Sequence, residues 1–217
     1  MSLKSSIKTV LTLGKGVASG LPEAASDMDP IELFGQWFHA AEESGILLPE
    51  SVALATATKD GRPSVRMVLL KDVDELGFVF YTNYGSPKAT ELDANPYAAL
   101  CFHWAVLHRQ ARVAGTVERV SEEENADYFA SRPKRTRLGA WASKQSEPLS
   151  GREELETRFR EVQERFPGDD VPLPSFWGGY RLNPDRIEFW QGRADRLHDR
   201  LVFTRSEGGW DTARLYP

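Results

Sequence analysis

Apolar positions change their spacing several times along the 217 residues. After Asp29-Pro30, residues Leu33, Phe34, Trp37, Phe38 and Ala41 recur in steps of three and four, which is the spacing of one helix face. Asp at the N-cap with Pro at the first helical position predicts where that helix starts, and Gly45 predicts where it stops. The spacing then shortens. Residues 52–58 and 64–71 predict two strands around a turn at Lys59-Asp60-Gly61-Arg62-Pro63, and residues 72–77 turn the chain into a third strand at 78–82. Ser86-Pro87-Lys88 opens a short helix that ends near Asn95-Pro96.

Residues 98–104 and 109–120 predict a further antiparallel pair. Ser121-Glu-Glu-Glu124 has the form of a capping box for a helix reaching Ser131, which Pro133 closes. Residues 141–146 read as a polar loop. Ser150-Gly-Arg-Glu153 has the form of a second box, opening a helix whose Leu155, Phe159, Val162 and Phe166 share a face. The remainder, 178–216, predicts two or three strands with a hairpin at Gly208-Gly209. Strands joined by hairpins, with helices between them, predict the α+β class and an antiparallel barrel. The expected organisation is a mobile N-terminal arm over residues 1–28 and one domain over 29–217.

Composition narrows the function. A net charge of −5 gives no support to general nucleic-acid binding. The single cysteine, Cys101, excludes an internal disulfide and suits a reducing compartment, so a cytoplasmic location is expected. His103 and His108 near Cys101 form the one histidine cluster, too sparse to predict a metal site. No stretch reaches the ~18 apolar residues of a membrane span. Lys4, Lys8 and Lys15 make the first twenty residues basic, but the apolar run is too short for a signal-peptide core. There is no G-x-G-x-x-G loop and no Walker-type loop, so a phosphate would have to be held by side chains and scattered backbone groups.

Candidate chemistry lies in several separate places. Near the end, Arg196, His198 and Arg200 alternate with Leu197 and Asp199. On a strand these three would share one face, a cationic row awaiting an anion. Flanking guanidiniums disfavour an imidazolium, which points His198 to a neutral hydrogen-bonding role. Arg66 and Lys71 bracket the apolar run Met67-Val68-Leu69-Leu70, the form also of an ordinary strand with charged ends. Lys71 would face away from Arg66 unless the strand bulges. Lys88 sits in a first helical turn, where a bound anion would offset its clash with the helix dipole. Tyr128 and Arg132, four apart, could form a phosphate clamp, and Gln145 and Ser146 could bond a phosphate or an amide-rich ring. Trp177, in Pro172-Leu-Pro-Ser-Phe-Trp177, reads as core packing.

Taken in order, these segments resemble the pyridoxine/pyridoxamine 5′-phosphate oxidase family, FMN enzymes of the split-barrel superfamily. The motifs are Arg66-Met-Val-Leu-Leu-Lys71, Phe80-Tyr-Thr-Asn83, Gly85-Ser-Pro-Lys88, Arg109-Gln110, Tyr128-Phe-Ala-Ser-Arg-Pro133, Gly139-Ala-Trp-Ala-Ser-Lys-Gln-Ser146, Pro172 through Gly179, Glu188-Phe-Trp-Gln-Gly192 and Arg196-Leu-His-Asp-Arg200. The resemblance runs from about Asp29 to Pro217. It implies an antiparallel split β-barrel with peripheral helices, and a homodimer with FMN at the subunit interface. It assigns FMN contacts to Arg66, Met67, Val68, Leu69, Leu70, Lys71, Tyr81, Thr82, Lys88, Gln110, Gln145, Ser146, Trp190 and Arg200. Substrate phosphate falls to Lys71, Tyr128, Arg132 and Thr136, while Arg196 and His198 are the catalytic pair against the substrate ring.

The implied reaction is hydride transfer from C4′ of pyridoxine or pyridoxamine 5′-phosphate to FMN, with O2 as final acceptor, giving pyridoxal 5′-phosphate and H2O2. No metal, nucleic acid or membrane is implied. Pro87 stands where the family often has a base, and Thr136 where Ser is common. The N-terminal arm lacks the Arg- and Tyr-containing segment of some members. Two other readings stay open: another split-barrel flavoenzyme, such as a phenazine-pathway oxidase or a deazaflavin-dependent reductase, and a non-catalytic flavin or pyridoxal-phosphate carrier.

Overall fold

The computed structural model describes residues 21–22 and 28–217. Most of the arm expected over 1–28 therefore lies outside the described residues, although Leu21 packs in the core. The first helix, α1, spans Pro30–Glu43, and Asp29 caps it by accepting from the Ile31 N–H at 2.7 Å. Its apolar stripe, Leu33, Phe34, Trp37 and Ala41, is buried. Phe34 meets Phe78 and Phe102, both at 4.9 Å between ring centroids, so α1 seals an aromatic barrel interior. Each fully buried phenylalanine there contributes roughly 1.5–3 kcal/mol.

Eight strands follow: β1 Ser51–Ala57, β2 Pro63–Asp74, β3 Gly77–Asn83, β4 Tyr97–Trp104, β5 Arg109–Arg119, β6 Trp177–Gln191, β7 Asp199–Ser206 and β8 Gly209–Arg214. Their order is β3-β2-β1-β4-β5-β6-β7-β8, and a β3–β6 pairing closes the first six into a barrel. All pairs are antiparallel, so the expected α+β antiparallel barrel stands. The outer helices are α2 Pro87–Ala94, α3 Glu122–Ser131, α4 Lys134–Ala142 and α5 Arg152–Arg165.

Four local expectations need correcting. Residues 134–142 form helix α4, so Trp141 and Ala142 are helical rather than part of a loop; Pro133 ends α3 and then serves as the N-cap residue of α4. The second capping box is displaced. Helix α5 starts at Arg152 after Gly151, and the Ser150 hydroxyl donates to Glu154 at 2.6 Å instead of accepting from the backbone. Strand β2 continues to Asp74, leaving a turn at Glu75-Leu76. Most consequentially, Ala194–Arg196 is a 3-10 turn and β7 begins only at Asp199, so Arg196, His198 and Arg200 do not share a strand face. Asp195 (φ 54°) and Arg196 (φ 61°) both adopt left-handed backbone, which interrupts any alternation.

Candidate active site

The barrel is split along β2. Residues 63–69 of β2 pair with β1, but pairing to β3 begins only at Leu70 opposite Phe80. The register shifts between Leu70 and Asp72, so Lys71 is the bulged residue. On the far side of the split, Tyr81, Thr82 and Asn83 pair with Gly179, Gly178 and Trp177 of β6 instead. The β2 edge from Arg66 to Leu69 thus offers backbone N–H and C=O groups to whatever enters.

A cleft of about 340 Å³ occupies this split. The structure brings together there Arg66, Met67, Val68, Leu69, Lys71, Tyr81, Thr82, Lys88, Tyr128, Arg132 and Gln145 from the anticipated set. Leu70 instead points into the core, and Ser146, with φ 72°, lies exposed outside the cleft. Thr136 is tied to the rim, its hydroxyl donating to Pro133 O at 2.7 Å and its carbonyl accepting from Arg132 Nη2 at 3.1 Å.

Lys88 is buried, and its ammonium donates to neutral oxygens: Gln145 Oε1 at 2.8 Å, Thr82 Oγ1 at 3.1 Å and Ser86 Oγ at 3.2 Å. Burial pushes its pKa below the ordinary lysine range, and neighbouring Arg66 adds to this while Glu91 opposes it. Arg66 is held from behind by Thr56, Ser64 and Glu91. The carboxyl of Glu91 would rise through burial, but bonds from Thr56, Ser64 and Arg66 bring it below the usual range.

The other wall is aromatic. Tyr81 stacks on Tyr128 at 3.9 Å and on Trp177 at 5.2 Å between centroids, and the Arg132 guanidinium lies 4.7 Å over the Trp177 ring. Burial raises the Tyr81 phenol to about 12, with Glu124 adding to it. Gly179 permits this packing, since a Cβ there would lie 2.8 Å from Tyr81. Arg132 Nη1 is buried with no hydrogen-bond partner among the described residues, and burial lowers its pKa. An anion is the natural partner for such a group. Helix α3 holds Tyr128 in place through a complete Ser121–Glu124 capping box, and buried Arg181 ties Glu124 to Asp74.

The remaining anticipated residues form a second cluster on the barrel exterior. Gln110 of β5 stands opposite Trp190 of β6, and Trp190 stands opposite Arg200 of β7. The His198 ring lies 4.6 Å from that of Trp190. His198 Nδ1 accepts from the Arg193 N–H at 3.1 Å, so the neutral ring carries its proton on Nε2. Arg196 is exposed. Trp190 lies twelve residues along β6 from Gly178, which faces Thr82, so the two clusters are separated by up to about 40 Å along the strand at ~3.3 Å per residue.

Trp177 was expected in the core, Glu188 was named only as the start of Glu188-Phe-Trp-Gln-Gly192 with no role, and Glu91 was not anticipated. Trp177 borders both the second hydrophobic cluster and the cleft. The signal for the two acids lies in their partners: each sits within reach of an arginine already singled out, Glu91 of Arg66 and Glu188 of Arg200. Among the described residues no group of histidine, cysteine and acidic side chains could hold a metal, and no helix is long and apolar enough to cross a membrane.

A six-stranded antiparallel barrel, split along one strand and lined there by buried Lys88 and half-buried Arg132, neither paired with a carboxylate among the described residues, defines a β-barrel suited to a phosphorylated ligand. The chain belongs to the pyridoxamine 5′-phosphate oxidase family: residues 38–166 match the family model of that description, and residues 177–217 match a pyridoxine 5′-phosphate oxidase C-terminal dimerisation region. It is 58% identical over 199 residues to the pyridoxine/pyridoxamine 5′-phosphate oxidase of Rubrobacter xylanophilus, covering 92% of each chain. To that of Psychromonas ingrahamii it is 52% identical over the full length of both. Among solved structures it is similar to PhzG from Burkholderia lata, in complex with tetrahydrophenazine-1-carboxylic acid, with a TM-score of 0.87, 33% identity and coverage of 93% of this chain and 100% of that one.

Proposed function

We propose that this enzyme oxidises pyridoxine 5′-phosphate and pyridoxamine 5′-phosphate to pyridoxal 5′-phosphate with FMN as cofactor and O2 as electron acceptor, in the cytoplasm. The observation that carries this reading is the pairing of buried Lys88 with half-buried Arg132, whose Nη1 is itself buried, in one cleft, neither in an ion pair with a carboxylate among the described residues. Two phosphates, one on the cofactor and one on the substrate, answer that need. FMN, when bound, supplies the two-electron acceptor that O2 regenerates, with hydrogen peroxide as the by-product.

Lys88, Arg66 and the β2 edge would hold FMN, with Thr82 and Gln145 orienting Lys88. Lys71, Tyr128, Arg132 and Thr136 would hold the substrate phosphate. A single chain cannot bring Gln110, Trp190, His198 and Arg200 to its own cleft, given the separation along β6. A second copy can. Between the two clusters the barrel exterior carries exposed Val65 and Met67 (69% and 62% exposed), then half-buried Ala53, Ala55, Ala99, Cys101 and Ala114, an apolar surface of small residues on which two sheets can pack closely. A homodimer with FMN between copies, and residues 29–217 as one FMN-binding domain after the N-terminal arm, complete the reading. There neutral His198 would offer its Nε2–H as a hydrogen-bond donor to the substrate, and Arg196 would lie against the ring, fixing C4′ for reaction.

The test is anaerobic addition of pyridoxine 5′-phosphate to the purified yellow protein. The flavin absorbance is expected to bleach and to return on admitting oxygen. A colourless protein that takes up no added FMN overturns the reading, and bleaching only by an unphosphorylated phenazine precursor replaces it with the phenazine-pathway alternative.

A further inference from the structure

Glu188 lies on the outer face of β6, only 2% exposed, and has no place in the cofactor or substrate set above. Three guanidiniums converge on it. Oε1 accepts from Arg200 Nε at 2.9 Å and lies 2.8 Å from Arg200 Nη2, while Oε2 accepts from Arg112 and, at 3.2 Å, from Arg186. The register explains the meeting: Arg112 stands directly opposite Glu188, and Arg200 stands opposite Trp190, which makes it a diagonal neighbour on the same face.

One counter-charge is enough to neutralise a buried carboxylate. Arg112 and Arg186, both about half exposed, could supply it alone. Arg200 is held differently. Its Nε/Nη2 edge is engaged by a single carboxylate oxygen, and Nη1 donates to the Tyr216 carbonyl at 3.0 Å. A guanidinium has five N–H donors in a rigid plane. Nε and Nη1 each donate one of these, and Nη2, held against Glu188 Oε1 on its Nε side, keeps an N–H directed away from the carboxylate for an acceptor.

We infer that Glu188 is a positioning residue of the cofactor site: by locking one edge of Arg200 it presents the opposite edge to FMN. This deepens the proposed function and rests on its assignment of Arg200 to FMN. Without the carboxylate, Arg200 would sample its rotamers freely beside two like charges, and ordering it would oppose cofactor binding.

The experiment is a double-mutant cycle on FMN affinity, read by fluorescence titration of the flavin-free dimer, with thermal melting alongside. Glu188→Gln is expected to raise the FMN Kd on the order of tenfold. Arg200→Ala should raise it at least as much, and the double variant should bind no worse than Arg200→Ala alone. Glu188→Asp keeps the charge but shortens its reach; it should fall between wild type and Gln, and it carries the same cycle if the Gln variant does not fold. A Glu188 effect of equal size with and without Arg200 would assign the acid a merely structural role and overturn the inference. So would an unchanged Kd in Glu188→Gln beside a raised one in Arg200→Ala. If Arg200→Ala itself leaves FMN affinity intact, the assignment of Arg200 to FMN fails first, and the positioning role falls with it.

Discussion

The two functional clusters are built on opposite principles. The cleft in the β2–β3 split is recessed: buried Lys88 and half-buried Arg132 touch neutral oxygens or aromatic faces, not carboxylates. The cluster on β5–β7 is an open sheet face, where Arg200 is clamped to Glu188 and Trp190 lies beside His198. In the first, Lys88 and Arg132 lack a carboxylate partner among the described residues, a gap that the phosphates of the proposed ligands would fill. In the second, charge is over-determined so that its direction is fixed. Under the proposed function one region would supply binding energy and the other orientation, and neither would be a whole site. Incompleteness in both is what makes a second copy of the chain a chemical requirement of the proposed function.

The harshest way to break this comparison is to part the copies and leave both clusters intact. Val65→Glu places a carboxylate on the exposed apolar face without touching either cluster. An unpaired charge buried between copies costs about 3–5 kcal/mol, so the dimer should dissociate in sedimentation at micromolar protein and FMN affinity should fall by more than ~100-fold. A monomer that keeps its flavin would show the cleft to be sufficient alone.

A smaller effect should divide the cleft itself. Lys88→Met is expected to weaken FMN about 100-fold, whereas Arg132→Ala should raise the substrate KM about 50-fold and leave FMN affinity within about threefold. Equal losses of both ligands in Arg132→Ala would merge the two phosphate sites. The Lys88 assignment also has a sign in pH. Its pKa in the ligand-free protein lies below 10.5, and a bound phosphate favours the charged form. FMN affinity should therefore fall as pH rises through that lowered value. Tyr81, raised to about 12, stays protonated across the same range and adds no slope. Titrations of flavin fluorescence between pH 7 and 10 should show the decline in the wild type and a flat profile in Lys88→Met.

The barrel was legible because its determinants are local. Hairpin turns, the Asp29-Pro30 cap and the Ser121 box each act within a few residues, and the structure keeps all of them. Most of the cleft was legible too, through motifs on β2, β3 and α2. The Arg196–Arg200 segment was not. Two left-handed residues break its alternation, and nothing in Ala194-Asp195-Arg196 announces that, since neither position is glycine. Helix α4 was hidden because Pro133 ends one helix while serving as the N-cap residue of the next. Glu188 lay in plain view, but its role depends on a diagonal across two strands, and single-sequence reading supplies no register.

The mildest perturbation asks whether the enclosed cluster tolerates slack where the open one would not notice it. Ser121→Ala removes the hydroxyl that accepts from Glu124 N at 3.1 Å, half of the box that starts α3. Glu124 also pairs with Arg181, so this helix end is anchored twice, and losing the cap should cost only about 1 kcal/mol in a denaturant melt. The helix carries Tyr128 and ends at Arg132. The substrate KM should therefore rise two- to threefold, on the order expected if half that 1 kcal/mol appears at the clamp, with FMN affinity unchanged. If FMN affinity falls in step with the KM, the cleft behaves as one cooperative pocket, and its division into a cofactor end and a substrate end is wrong.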